Sequence, residues 1–303
     1  MTEATKARWI PLFAFAGLIL PFMMGAAVAL AADGDASGAS ALTAKHEELR
    51  GRLASSPFGR PLVLVSSEEG RRLKGDVYAE VAYPFATVAA GFHDAPNWCH
   101  VLILPFNTKH CQASKGEGTT LTVRVGRKSS QPAEDAYRLD FNYWAAAQAA
   151  DYMRTVLKAD TGPVGTRDYE IVLEATPLDA GHTFIHLSYS YGYGAMSRLM
   201  MQAYLSTAGS DKVGFTVTGK NEQGRPVYCG GMLGALERNT MRYFLAIDAY
   251  LGSLAVPEDK RVQKRLSDWF AATEKYPLQL HEMSRGEYLA MKEQESKRVN
   301  VPL

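Results

Sequence analysis

Three tyrosines stand at alternate positions in the stretch His186–Arg198: Tyr189, Tyr191 and Tyr193, spaced by Ser190 and Gly192. Side chains two apart in a β-strand share a face, so Tyr189 and Tyr191 make a ladder of rings with hydroxyl tips on one side of a sheet. Tyr193, between two glycines, falls beyond that strand. Such rings either fill a core or line a pocket, where ring faces cover hydrocarbon and phenols orient a polar group.

The cysteines offer a second chemistry. Cys99 and Cys111 bracket the stretch His100–His110, and a bridge between them closes a loop of about a dozen residues, stabilising by roughly 2–3 kcal/mol in the chain-entropy treatment. Three free thiols are the alternative. A third option is a metal held by Cys99, His100, His110 and Cys111, but neither pair has the usual zinc-ligand spacing. The bridge requires Cα atoms within about 7 Å. The run "VLILPF", read as a strand, holds the cysteines apart unless Pro105 to His110 folds back. Cys229 is then the odd thiol, a small buried hydrophobe.

Catalytic groups are sparse. His182 and His186 share a strand face with Arg154 and Glu170, which reads as the solvent side, and the pair His93 and Asp94 reads as a surface loop after a short helix. No serine sits in a G-x-S-x-G turn, and no glycine-rich phosphate loop is present. Glu237, Arg238, Arg242 and Asp248 ride a long helix and read as surface charge. Any one of them turned inward needs a ligand group or a tyrosine to meet it, and would anchor a head group. No cofactor is expected.

The chain has 303 residues, 47% hydrophobic and 21% charged, with formal net charge +1. Nucleic-acid binding is not expected, since the cations form no basic stripe. The N-terminus carries Lys6 and Arg8, then an uncharged apolar run, then the small-x-small triplet Ala29, Leu30 and Ala31, which is the pattern of a cleaved export signal. Residues 1–31 are therefore expected to be a signal peptide and the protein periplasmic or secreted; an uncleaved membrane anchor is the alternative. An oxidising compartment permits the disulfide.

The elements that must position these groups follow from periodicity. Residues 32–60 read as a polar linker and a short helix ended by Pro57 and Gly59. "GDVYAEVAY" alternates as a half-buried strand, "FATVAAGFHDA" suits a helix opening at Pro84, and Pro96 to Trp98 reads as a turn. Five alternating runs follow between Thr119 and Tyr191. They put Tyr137, Leu139, Phe141 and Tyr143 on the apolar side, together with Leu157, Tyr169, Ile171, Leu187 and Tyr189. Arg138, Asp140, Arg154, Lys158, Glu170, Glu174, His182 and His186 fall on the opposite side. Next come a helical stretch with Met196, Leu199, Met200 and Tyr204 along one stripe and Gly209 as its stop, and a hairpin about Asn221 to Gly224. A long helix, Met232 to Leu254, presents Leu233, Leu236, Thr240, Phe244, Ile247 and Leu251. A tail, 255–303, is amphipathic in two pieces, with Val262, Leu266, Trp269 and Phe270 on one stripe and Leu289 with Met291 on a thinner one.

From Gly75 to Leu254 this order resembles the helix-grip fold of the START-like (SRPBCC) superfamily. The residue-level support is the strand "VYAEVAY" running into Phe85, Val88, Phe92, Asp94 and Trp98. The resemblance implies an α+β domain over 61–254 whose curved antiparallel sheet wraps around the long helix and encloses a cavity. It further implies that Tyr189, Tyr191, Tyr143, Tyr169, Tyr137, Phe141, Leu187 and Phe244 wall a site for a lipid or other hydrophobic small molecule. Non-catalytic binding leads; a cyclase- or hydrolase-type enzyme using the same pocket, or a structural envelope module, is the alternative. The segment from Ala195 to Gly230 and the tail depart from the family, so the mouth of the pocket is expected to be rebuilt. The tail either docks on the domain or meets an envelope protein or a membrane surface.

Overall fold

The computed structural model describes residues 26–114, 119–205 and 211–297. The chain runs α1 (Ala26–Ala54), β1 (Leu62–Glu69), β2 (Arg72–Val81), α2 (Phe85–His93), α3 (Ala95–Leu102), β3 (Thr108–Ala113) and β4 (Thr120–Val125). Then come β5 (Tyr137–Gln148), β6 (Met153–Thr161), β7 (Thr166–Pro177), β8 (Thr183–Tyr193) and α4 (Ala195–Leu205). A small hairpin, β9 (Val217–Lys220) and β10 (Pro226–Tyr228), leads to α5 (Gly231–Ser253), and the chain closes with α6 (Glu258–Thr273), α7 (Pro277–Leu280) and α8 (Arg285–Ser296).

The strands form one antiparallel sheet in the order β1-β2-β8-β7-β6-β5-β4-β3. Its inner face buries Leu73, Val77, Leu139, Leu157, Ile171, Leu173, Ile185 and Leu187. Against them lies the stripe Leu236, Thr240, Phe244, Ile247 and Leu251 of α5, all essentially inaccessible. Gly75 sets how closely α5 approaches, because a Cβ there would lie 2.3 Å from Thr240 Oγ1. The result is an α+β helix-grip arrangement: a curved antiparallel sheet around a long helix, extended by the C-terminal helices.

Four elements differ from the sequence expectation. β1 was hidden because Leu62, Val63 and Leu64 are consecutively buried, α5 taking one face and α1 the other, so alternation is lost. It joins β2 through the two-residue turn Gly70–Arg71, where Gly70 takes φ +60°. Pro96 opens a helix, α3, at a position where its missing N–H costs nothing. The run after Cys99 is accordingly the last turn of α3 and a corner, not a strand. The stretch 32–40, expected as linker, is helical within the alanine-rich α1, and the Ala29–Ala31 triplet lies in the same helix. The expected export segment lies mostly outside the described residues; among those described, no helix is long and apolar enough to cross a membrane.

The face expected to meet solvent is partly covered. Leu42, Leu49 and Leu53 of α1 pack with Val63, Tyr152 and Phe184 into a second apolar cluster. Beneath this cover His186 bridges two carboxylates, Nε2 to Asp76 at 2.8 Å and Nδ1 to Glu174 at 2.8 Å, with the Tyr78 ring stacked on the imidazole at 4.3 Å. Tyr152 donates to Glu174 as well. The remaining charges pair across strands, Lys158 with Glu170 and Arg154 with Glu174.

The C-terminal extension docks on the domain. Trp269 is fully buried, stacks on Tyr288 at 5.2 Å, meets the Phe106 edge at 4.9 Å and donates Nε1 to the Arg242 carbonyl. Each such ring contributes about 2–3 kcal/mol by burial. Val262, expected on the same stripe, is exposed. α8 is fastened by a buried cluster in which Glu295 takes Lys109 at 3.1 Å and Lys292 at 2.7 Å, while Lys292 also donates to the Thr108 carbonyl. Burial pushes Lys292 down to about 8, against the pull of Glu295.

Candidate functional site

Cys99 and Cys111 are disulfide-bonded with Cα atoms 5.3 Å apart. Cys99 lies on α3, the chain turns back over Ile103 to Asn107, and Cys111 follows on β3, so the corner supplies the fold-back that the bridge needs. With both sulfurs joined, neither is available as a thiolate ligand. The bridge pins the corner that forms one wall of a cavity of about 370 Å³.

That cavity lies between the inner face of the sheet, α5 and α4. Leu102, Pro105, Asn107 and Thr108 bring the α3–β3 corner to it; Val123 and Val125 come from β4, and Leu139 and Phe141 from β5. Tyr169 of β7 and Tyr189 and Tyr191 of β8 supply an aromatic wall, and Asn239, Arg242 and Tyr243 face it from α5. The roof is α4, through Ser197, Met200 and Met201, and the β6–β7 turn, through Pro163 and Val164.

The roof is held by a strained residue. Val164 takes φ +58°, an outlier for a β-branched side chain, and its carbonyl accepts Ser197 Oγ at 2.8 Å. The stripe Met196, Leu199 and Met200 is not packed into the core, each residue being more than half exposed, and of the three only Met200 reaches the cavity mouth. The Tyr204 side chain and Gly209 lie outside the described residues.

The aromatic wall is a connected set. Tyr169 and Tyr191 stack at 5.3 Å, Tyr189 lies 5.6 Å from Tyr191, and Tyr243 meets Tyr189 edge-on at 5.1 Å. Tyr169 donates to Thr166 Oγ1 at 2.8 Å. Tyr189, Tyr191 and Tyr243 make no hydrogen bond to a described residue; Tyr189 and Tyr191 are only 5% exposed, and the hydroxyls are accessible at the cavity that all three residues line. Burial raises all three phenols well above 10, so each is a neutral O–H donor at neutral pH.

The residues named from sequence divide. Tyr189, Tyr191, Tyr169 and Phe141 line the cavity. Tyr143 does not; its hydroxyl donates to the carbonyls of Phe92 and His93, closing the end of α2. Tyr137 is 57% exposed at the start of β5. Leu187 and Phe244 are buried in the sheet–helix core away from the cavity, and the next residue back on α5, Tyr243, reaches it instead. Tyr193 is the last residue of β8, within the strand, and bonds Glu68. His93 and Asp94 are exposed at the α2–α3 junction.

Three of the charges expected on the surface of α5, Glu237, Arg238 and Arg242, are buried, while Asp248 is half-buried and pairs with Arg60 at 2.7 Å. The segment before α5 folds back over it, and Glu237 accepts from Ser66, from Thr216 Oγ1, from the N–H groups of Phe215 and Thr216, and from Cys229. Burial alone raises this carboxyl, but the hydrogen bonds outweigh it and hold it below the usual range. Arg242 donates to Glu282 at 2.6 Å and to Asn239 at 3.3 Å. Glu282, between α7 and α8, also takes Lys128 at 2.6 Å and Lys212 at 3.6 Å. Burial, then the charge of Arg242, pushes Lys128 down to about 8 despite Glu282. Sequence reasoning had marked Arg242 only as a charge that would matter if turned inward; nothing local shows that the tail supplies its counter-ion.

No family model matches the chain, and no curated protein matches it in sequence. Solved structures similar to parts of it include a conserved protein from Geobacillus kaustophilus (13% identity, TM-score 0.34, covering 59% of this chain and 95% of that one). A truncated norcoclaurine synthase from Thalictrum flavum is similar over 48% of this chain and 91% of its own (13% identity, TM-score 0.31). A Streptomyces aromatase/cyclase is similar over 68% and 94% (13% identity, TM-score 0.32).

Proposed function

We propose that the protein binds, and carries without chemistry, a lipid or other hydrophobic small molecule in the cavity under α4, as an exported member of the START-like superfamily. The observation that carries this reading is the lining itself. Apolar side chains and ring faces dominate it, and among the described residues that form it there is no Asp, Glu, His, Cys or Lys, so neither Ser197 nor a tyrosine has a base beside it to activate it. Hydrolase- or cyclase-type chemistry usually pairs its nucleophile or acid with such a base, which favours binding over catalysis. The apolar stripes of the tail are largely spent on the domain itself, so membrane or envelope-protein contact is not assigned to them. The export reading rests on the N-terminal sequence pattern alone.

Native mass spectrometry of protein purified gently from its own host tests the reading. The expected result is a small-molecule adduct lost on denaturation and absent from a Leu139→Trp variant that fills the cavity. A bare polypeptide mass for the wild-type protein counts against it, as does an adduct that survives cavity filling.

A further inference from the structure

We infer that the ligand presents a carbonyl-type oxygen, as in a ketone, ester or acid, to the hydroxyls of Tyr189, Tyr191 and Tyr243, so that a bare hydrocarbon is not the preferred occupant. This deepens the ligand-binding reading and rests on it.

A hydroxyl inside a protein is almost always hydrogen-bonded, to the protein itself, to water or to a ligand. Three other tyrosines that reach the interior are partnered by the protein: Tyr143, Tyr250 and Tyr288 each donate to a backbone carbonyl. Tyr189, Tyr191 and Tyr243 make no such bond to a described residue, their rings form one contact set, and all three line the same cavity. Were they core filler, phenylalanine would fill the same space and the hydroxyls would have no task. The phenols stay protonated, so they offer donors and want an acceptor. Arg242 also lines the cavity and carries positive charge on the Tyr243 side, while Arg238 acts on Tyr191 from the same helix. Oxygen that carries partial or full negative charge suits this setting, and an aliphatic chain leaves it unused.

Two probes of nearly equal shape separate the possibilities: 1-acetonaphthone, which has the carbonyl, and 1-ethylnaphthalene, which lacks it. Their affinities for the full chain are measured by equilibrium dialysis with wild type, with the Tyr189→Phe/Tyr191→Phe/Tyr243→Phe variant and, should that variant not fold, with Tyr189→Phe alone. Wild type is expected to bind both. The triple variant is expected to lose about tenfold for the ketone, while the hydrocarbon's affinity changes by less than about twofold, since no hydrogen bond to it exists to lose. The single variant is expected to lose about threefold for the ketone alone. Equal losses for the two probes, or none for the ketone, overturn the inference and leave the ligand-binding reading standing. Failure of wild type to bind either probe overturns both.

Discussion

Tyr143 and Tyr189 stand in one cross-strand row of the sheet, with Leu157 and Ile171 between them, and project to the same inner face. Their hydroxyls nevertheless meet opposite fates. On the α2 side, Tyr143 donates to Phe92 and His93, and Tyr250 donates to Gly91, so the last carbonyls of α2 are satisfied by phenols. On the cavity side, Tyr189, Tyr191 and Tyr243 donate to no described residue. Each set holds one half-buried ring and at least one buried ring, so burial does not distinguish the tyrosines that close α2 from those that face the cavity. The partner of the hydroxyl does. The outer face makes the same point: His186 is only partly exposed, and both its nitrogens are engaged, which marks a structural strut.

The largest expected effect tests that strut. His186→Gln leaves Asp76 and Glu174 facing each other under α1 and is expected to cost about 3 kcal/mol in urea denaturation near pH 6. Burial alone lowers the imidazole pKa, but the hydrogen bonds and charges of Asp76 and Glu174 outweigh it and raise it. A raised histidine pKa gives stability that is complete below about 6.5 and lost as pH climbs through the folded-state value. Burial likewise raises Asp76 and Glu174 on its own, yet their hydrogen bonds, His186 foremost, lower both, so their contribution fades as pH falls through the acid range. The stability difference between wild type and variant is therefore expected to peak between about pH 4.5 and 6.5. A flat difference from pH 4 to 9 would remove the strut.

Next in size is the seat of α5, which carries Tyr243 and Tyr250 alike. Gly75→Ala is expected to destabilise by about 2 kcal/mol through overpacking against Thr240, and Thr240→Ala in the same chain is expected to recover part of the loss. Thermal melts of the two variants decide it, and a single substitution without effect would mean that α5 can lift without cost.

Smaller still, and opposite on the two sides of the row, are the Tyr→Phe changes. Tyr143→Phe is expected to lower stability by about 1 kcal/mol and to leave 1-acetonaphthone binding unchanged. Tyr189→Phe, Tyr191→Phe and Tyr243→Phe are each expected to stay within about 0.5 kcal/mol of wild type. Chemical denaturation of the four proteins side by side would erase the distinction if all four fell by the same amount.

Much of the fold is legible from sequence because β4 to β7 keep one face apolar and one largely polar, β8 alternates apolar residues with Ser and His over most of its length, and α5 carries a long, mostly apolar stripe. β1 is illegible for the opposite reason: covered on both faces, it has no alternation to read. At the site, Tyr189, Tyr191, Tyr169 and Phe141 follow from parity along their strands. Tyr143 and Leu187 share that parity yet fall outside the cavity, because parity fixes the face and not the position along it. Arg242 and the roof on α4 depend on the tail and on the segment before α5, contacts that no local pattern encodes. Val164 gives no sequence signal, since a β-branched residue is the least expected occupant of a left-handed turn position.

The difference between the two sets of tyrosines is tested most directly by NMR of protein carrying ¹³C-labelled tyrosine rings, titrated with 1-acetonaphthone. The ring signals of Tyr189, Tyr191 and Tyr243 are expected to move with a common saturation curve while those of Tyr143 and Tyr250 stay in place. Movement centred on Tyr143 and Tyr250, or saturation that leaves the cavity tyrosines unmoved, would contradict the assignment of the site.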